Sequence, residues 1–373
     1  MEISVTPHAS VPAFFGRTLY DVKLGAAMLN WTASGFGLRF AGDRLEMDAT
    51  ALADHFPGEG EHLPWLAVFL DGQTEPYSLF KLESGRKTYL LFSAERAETH
   101  TLRVIKRTEN SKGRFGLHRV ILNGELLPYP SPERRRKLEF VGDSITCGFG
   151  NAMDPAATVF DNETENGFAA YPAIAAGLLN AEYQSVCISG IPLCTPSDPA
   201  FGLRLPGVPD FKPPQIAMET QYPYADRYHQ EQTGMTEGFE PWDFSRFRPD
   251  AIVVNLGTND AFRLSVAGGG AAEALHFRRR YAAFLQLLRR HNGPAPVIVC
   301  TLGPMNYFLY DELEKAVAAY RSETNDDRVF CLKFGAIDPW GEGYGGLGHP
   351  NLKTHERMGH ELAAALRPWL PQE

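Results

Sequence analysis

Several features are scarce in this 373-residue chain, and each scarcity removes a class of function. Basic charge is not in excess: Lys and Arg number 36 against 45 for Asp and Glu, for a net charge of −9. A mildly acidic chain has no electrostatic footprint for nucleic acid or an anionic membrane, so neither is expected as a partner. The one basic cluster, Glu133-Arg134-Arg135-Arg136-Lys137, directly precedes a strand-like run and reads as a solvated linker face. No run approaches the roughly 20 apolar residues that cross a bilayer. The opening Met-Glu-Ile-Ser-Val-Thr-Pro lacks the basic start and apolar core of a signal peptide, so a cytoplasmic location is expected. Cysteine is sparse, odd in number and scattered: Cys147, Cys187, Cys194, Cys300 and Cys331. That pattern suits buried thiols in a reducing compartment better than a disulfide frame. With no CxxC and no close His/Cys cluster, no metal site is expected.

Helical periodicity is the next thing missing, and its absence is confined to residues 1–130. Strand-like runs recur there instead, at 30–40, 44–49, 65–70, 88–92, 98–105 and 120–123. Turn signals stand between them: Ala41-Gly42-Asp43, Asp71-Gly72 and Leu122-Asn123-Gly124-Glu125. Asp-Gly after a strand is a hairpin signal. Short strands with regular turns predict a first domain, 1–130, that is an all-β sandwich or jelly roll. Jelly rolls often bind carbohydrate, which offers Trp31, Trp65 and Phe36 as sugar-stacking platforms. The plain alternative is that they are core aromatics, the better reading for Trp65 inside its apolar run.

From 131 to 373 the pattern changes to strands alternating with helices. Strands are expected at 137–141, 182–188, 250–256, 296–302 and 329–334. Helices are expected at 168–179, around 223–231, and at 271–291, 310–321 and 351–366. This spacing predicts a three-layer α/β sandwich with a parallel, flavodoxin-like sheet. Right-handed crossovers then bring every strand's C-terminal end to one edge.

Polar groups collect at that edge. The first strand ends in Gly142-Asp143-Ser144, the second near Gly190, and the third in Gly257-Thr258-Asn259-Asp260; His349 stands before the last helix. Alone, Gly-Asp-Ser is an ordinary polar turn. Together the four tips supply what acyl transfer needs. A serine hydroxyl attacks only when a base takes its proton, and the oxyanion that forms needs donors already in place. Ser144 is read as nucleophile and His349 as base. The N–H groups of Ser144 and Gly190 and the amide of Asn259 are read as an oxyanion hole. Asp143 and Asp260 are read as turn-holding groups, Cys147 as packing, and His355 and His360 as surface or structural residues.

These blocks, in this order, resemble those of the SGNH (GDSL-like) hydrolases. The segment 242–250 running into Ile252-Val253-Val254-Asn255, with Gly16-Arg17-Thr18 and 31–36 in the β domain, narrows the resemblance to carbohydrate esterase family 2, over essentially the whole chain. The resemblance implies a jelly roll joined to an SGNH domain. It also implies a metal-free and cofactor-free esterase that removes O-acetyl groups from plant-type xylo-, manno- or gluco-oligosaccharides, in several members at the 6-position. One departure stands out. Most SGNH enzymes carry an Asp two or three residues before the His, and here those positions are Leu347 and Gly346. Some family members are similar in lacking the acid and orient the His with a main-chain carbonyl, so a Ser-His dyad is the first reading. Glu342 and Asp338 are the fallback acids. Phe149, Phe262 and Tyr344 are offered as a substrate wall. The competing functions are a lipase- or thioesterase-like SGNH hydrolase on other acyl esters and a non-catalytic carbohydrate-binding protein.

Overall fold

A computed structural model describes residues 2–7, 12–56, 60–130, 136–197, 216–267 and 270–371. The expected two-part fold is present. Residues up to 130 form an antiparallel β domain, and those from 136 onward form a parallel-sheet α/β domain.

In the β domain, four long strands carry the sheet: β1 (Gly35–Leu52), β2 (Trp65–Leu70), β3 (Gly85–Lys106) and β4 (Arg114–Leu127). They pair in the order β4-β1-β3-β2, with shorter strands flanking them in a nine-stranded sheet. Two of the three turn signals do not reverse the chain. Ala41-Gly42-Asp43 lies inside β1, and residues 122–125 lie inside β4, where the two strands slip register against each other. The glycines are there for close approach. A Cβ on Gly42 would sit 2.4 Å from the Asn123 carbonyl oxygen, and one on Gly124 would sit 2.1 Å from that of Ala41. The slip also changes which side chains face inward. Phe36, Leu38 and Phe40 are buried before it, and Leu45, Met47 and Ala49 after it, so the buried positions shift from even to odd. An extra residue flips the alternation and bends the strand, which lets both halves of β1 line the core. The runs at 88–92 and 98–105 are likewise halves of β3, joined across an irregularity after Ser93. Asp71-Gly72 does form a turn: both have positive φ (51° and 75°), and the Gln73 N–H donates to the Leu70 carbonyl at 3.0 Å.

Residues 30–34 are not a strand. Their side chains bind the other domain, with Trp31 Nε1 donating to the Ala225 carbonyl (2.8 Å) and Asn30 Nδ2 to Asp226 Oδ2 (2.6 Å). Trp31 and Phe36 are buried, which corrects their reading as exposed sugar platforms.

The α/β domain contains every expected strand: β5 (Arg136–Gly142), β6 (Ala181–Cys187), β7 (Ala251–Asn255), β8 (Val297–Leu302) and β9 (Val329–Lys333). They pair in parallel in the order β6-β5-β7-β8-β9. The longer helices are α1 (Tyr171–Leu178), α2 (Thr258–Ala267), α3 (Gly270–Asn292), α4 (Tyr310–Thr324) and α5 (Leu352–Leu366); short ones include Ser144–Cys147 and Arg227–Gln232, the latter where a helix was expected around 223–231. Both faces of the sheet are covered, so its central strands β7 and β8 are fully buried and apolar except for Asn255 and Thr301, whereas β5, β6 and β9 also carry polar and charged residues. Ile252 and Val254 pack with Phe277 and Leu288 of α3 and Leu313 of α4, whereas Ala251 and Val253 pack with Ala175 of α1 and Met358 and Leu362 of α5. Helix α2 was not anticipated. Residues 133–135 of the basic cluster lie outside the described residues, and Arg136 and Lys137 open β5. No described helix is long and apolar enough to cross a membrane.

A buried ion pair crosses the seam between the domains. Arg17 meets Glu139 of β5 at 3.1 Å and also donates to the Tyr222 and Tyr224 carbonyls. Glu139 accepts from the Tyr222 hydroxyl (2.6 Å) and Gln184 Nε2 (2.6 Å), so both charges are well hydrogen-bonded. Removing either alone would strand its partner and cost about 3–5 kcal/mol.

Candidate active site

β5 stops at Gly142 because Asp143 caps the next turn. Its Oδ1 accepts the Ile145 N–H at 3.0 Å and its carbonyl accepts those of Thr146 and Cys147. The resulting one-turn helix, Ser144–Cys147, is closed by Gly148 in the left-handed region. Ser144 is its first residue, where a helix N–H has no partner of its own. Burial pushes the Asp143 carboxyl up to about 7, against the pull of the Ile145 N–H, and the nearby Asp260 adds to the rise.

His349 reaches this turn from the loop before α5. Its Nε2 lies 2.9 Å from Ser144 Oγ. Burial lowers its pKa to about 4, against the main-chain carbonyls of Leu347 and Gly346, which favour the protonated ring. The ring is therefore neutral near pH 7, as a proton acceptor must be. Neither carbonyl completes a hydrogen bond with good geometry, and among the described residues Nδ1 has no partner. The ring rests instead on Phe149, with centroids 4.7 Å apart. Phe149 stacks in turn on Phe160 at 4.0 Å, and Lys112 of the β domain lies over both rings.

The missing acid has a steric cause. The Gly346 N–H donates to the Gly150 carbonyl at 2.9 Å, and a Cβ on Gly346 would sit 2.1 Å from Met153 Sδ. Leu347 has φ of 53° and an exposed side chain. The fallback acids are corrected as well. Glu342 is held by Arg357 through both carboxylate oxygens and by the Thr354 hydroxyl at 2.9 Å. Arg357 is the main reason its pKa falls to about 2. Asp338 accepts the Trp340 N–H at 3.0 Å within its own turn. Neither carboxylate hydrogen-bonds His349.

The expected oxyanion donors meet this pair unequally. Gly190 has φ of 77°, a conformation that favours glycine, and a Cβ there would touch nothing within 4 Å. Among the described residues the N–H groups of Gly190 and Ser144 donate to no other group. Asn259, at the start of α2, directs Nδ2 to Asp143 Oδ2 (3.2 Å) and to the Ile191 carbonyl (3.1 Å). Both amide protons are engaged, so a third donor requires one of these bonds to open. Asp260 accepts the N–H groups of Leu193 (2.8 Å) and Cys194 (3.2 Å), the loop-holding role expected of it.

The substrate-wall residues divide. Phe149 is buried and supports His349, so its reading as a wall is corrected. Tyr344 is 42% exposed and free to form one. The Phe262 side chain lies outside the described residues. Sequence reasoning passed over Trp340 and Phe308, which are 96% and 80% exposed in the loops after β9 and β8. Their signal was available: large aromatics in loops at the polar edge of the sheet. His355 is structural; it is fully buried, accepts the Tyr171 N–H at 3.2 Å, and burial lowers its pKa to about 3. A cavity of about 520 Å³ lies elsewhere, between the domains and lined by Phe15, Arg103, Tyr129, Glu182 and Trp242; none of Ser144, Gly190, Asn259 and His349 borders it.

Residues 140–357 match the GDSL-like lipase/acylhydrolase family, and residues 14–130 match the carbohydrate esterase 2 N-terminal domain. The chain is similar to a cellulase/esterase of Acetivibrio thermocellus, at 31% identity over 378 residues, covering 98% of this chain and 40% of that protein. It thus spans less than half the length of that relative. It is 28% identical over 310 residues to an acetylxylan esterase / glucomannan deacetylase of Cellvibrio japonicus, covering 81% of this chain and 76% of the other. A solved family two carbohydrate esterase from Clostridium thermocellum, in complex with cellohexaose, superposes with a TM-score of 0.77 at 28% identity, covering 96% of this chain and all of that one.

Proposed function

The chain belongs to carbohydrate esterase family 2, within the GDSL-like lipase/acylhydrolases, and from that premise we propose that it removes O-acetyl groups from acetylated xylo-, manno- or gluco-oligosaccharides through an acetyl-serine intermediate. The observation that carries this reading is the 2.9 Å contact between Ser144 Oγ and a neutral His349 Nε2; the N–H groups of Ser144 and Gly190, which donate to no other group among the described residues, support it. His349 takes the hydroxyl proton as Ser144 Oγ attacks the acetyl carbon. The carbonyl oxygen becomes an oxyanion and accepts from the Ser144 and Gly190 N–H groups, with Asn259 as third donor once it releases one acceptor. As the tetrahedral intermediate collapses, the imidazolium gives its proton to the departing sugar oxygen. Water then attacks the acetyl-serine, His349 takes its proton, and acetate leaves as the proton returns to Ser144. No metal or cofactor enters these steps.

The sugar class is supported by the names of the relatives and by Trp340, Phe308 and Tyr344, exposed aromatics of the kind that stack on pyranose rings. Attack at the 6-position is the regiochemistry tested first. Division of the chain at 130/131 and a cytoplasmic location belong to the same proposal. The second is supported by the five cysteines, which are all thiols, and cell fractionation tests it. Ser144→Ala tests the chemistry. Acetate release should fall on the order of 10⁶-fold, as for loss of a serine nucleophile elsewhere, while the unfolding temperature is retained. Turnover that survives the substitution contradicts the assignment. NMR of acetylated oligosaccharides, followed for which acetyl signals vanish, tests backbone and position.

A further inference from the structure

The connection between β3 and β4, residues 107–112, carries side chains that would ordinarily face water. Loops stay at the surface because their polar backbone needs partners. Here Arg107, Thr108, Glu109, Asn110, Ser111 and Lys112 are all buried, because the loop runs into the seam against the α/β domain. Most of its polar groups find partners there, although among the described residues Glu109 Oε1, Asn110 Oδ1 and Ser111 Oγ do not. The Gly167 N–H donates to the Arg107 carbonyl at 3.2 Å, and Asn110 Nδ2 to Asp226 Oδ1 at 2.9 Å. The Glu109 N–H donates to Glu165 Oε1 at 2.7 Å. Lys106 Nζ ties the loop to itself through the Thr108 and Glu109 carbonyls.

Glu109 differs from its neighbours in where its side chain ends. Oε2 accepts the Ser189 N–H at 2.6 Å and faces the Cys147 thiol at 3.6 Å. Ser189 directly precedes Gly190, and Cys147 ends the one-turn helix that Ser144 begins. One carboxyl group of the β domain therefore touches both segments that carry the unengaged N–H groups. The turn that presents Gly190 is closed by the Ile191 N–H on the Ile188 carbonyl at 3.2 Å, and Glu109 holds the peptide that leads into it through the Ser189 N–H, where Gly190 has no side chain to pack. Without it, the 188–189 peptide is freed, and with it the turn that presents the Gly190 N–H.

We infer that Glu109 is a positioning residue for the oxyanion hole, and that the β domain supplies through it a working part of the reaction centre. The inference rests on the esterase reading above. Donors that miss the oxyanion by even about 1 Å lose much of their effect, on the order of 10²-fold in rate.

The test compares Glu109→Gln, Glu109→Asp and Glu109→Ala, assayed for acetate release from an acetylated xylo-oligosaccharide, each checked by thermal unfolding. Gln keeps an acceptor oxygen in place, so kcat should stay within about threefold of wild type. Asp withdraws the oxygen by one methylene and Ala removes it, so kcat should fall about 10- to 100-fold with KM within about twofold. If Ala does not fold, the Asp and Gln pair decides. Loss shared equally by kcat and KM, Gln as impaired as Asp, or Asp within threefold of wild type would each overturn the inference. So would failure of all three to fold, which makes Glu109 a folding requirement only. A wild type inactive on acetylated xylo-, manno- and gluco-oligosaccharides alike instead sinks the esterase reading, so the two failures are distinguishable.

Discussion

The turn that carries Ser144 and the loop that carries His349 face each other across 2.9 Å, yet they are held by different means. The turn is local: Asp143 caps it, a buried strand feeds it, and its geometry follows from consecutive residues. The loop is borrowed. It rests on Gly150 through a backbone hydrogen bond, on Met153 through a glycine that leaves room for it, and on Phe149 through the imidazole face. A nucleophile needs one defined rotamer, which a cap provides. A base needs the right distance and a neutral ring, and here packing and burial provide both without a carboxylate.

The largest break in that contrast should come from Gly346→Asp. It restores an acid at a position where related hydrolases carry one, but its Cβ collides with Met153. The loop must move, and kcat should fall about 100-fold or more. A rise in kcat would show that the loop has room and that the acid was merely lost. Phe149→Leu keeps an apolar residue but removes the flat ring under His349. Steady-state kinetics should show kcat lower by about 10-fold with KM little changed, as expected for a looser base. Unchanged kcat would mean that contact with Phe149 does not hold the ring. Glu342→Ala should have the smallest effect, within about threefold in kcat, because its carboxylate serves Arg357 and Thr354. A loss approaching the 10⁴-fold typical of a missing triad acid would make Glu342 the orienting group after all.

The same contrast explains what the sequence could and could not reveal. Gly142-Asp143-Ser144, Gly257-Thr258-Asn259-Asp260 and His349 were legible because each marks a strand tip or helix start within a few residues. The central parallel strands β7 and β8 were legible because burial on both faces leaves an apolar run, and the flanking strands because they alternate with segments of helical spacing. The long β-domain strands were not, since a glycine at a bulge and a glycine at a turn read alike; only pairing shows that Gly42 and Gly124 meet each other's strands. Glu109 was invisible for a similar reason. Nothing in Lys106-Arg107-Thr108-Glu109 distinguishes a solvated loop from one buried against a second domain. Phe149 was noticed for the wrong role, because sequence position cannot tell a ring that faces a ligand from one that lies beneath the base.

The Ser-His dyad requires His349 to work without a carboxylate partner, and the titration of its ring measures that directly. A carboxylate at Nδ1 stabilises the imidazolium and raises the pKa, whereas burial without one lowers it. The neutral ring is the active base, so with a lowered pKa activity persists as pH falls through 6 and is lost only as pH approaches the ring's own pKa. NMR titration of the ring carbons in the free enzyme should give a pKa near the value of about 4 set by burial. A value at or above the ordinary 6.5 or so would mean that an acid does reach His349, and would contradict the dyad.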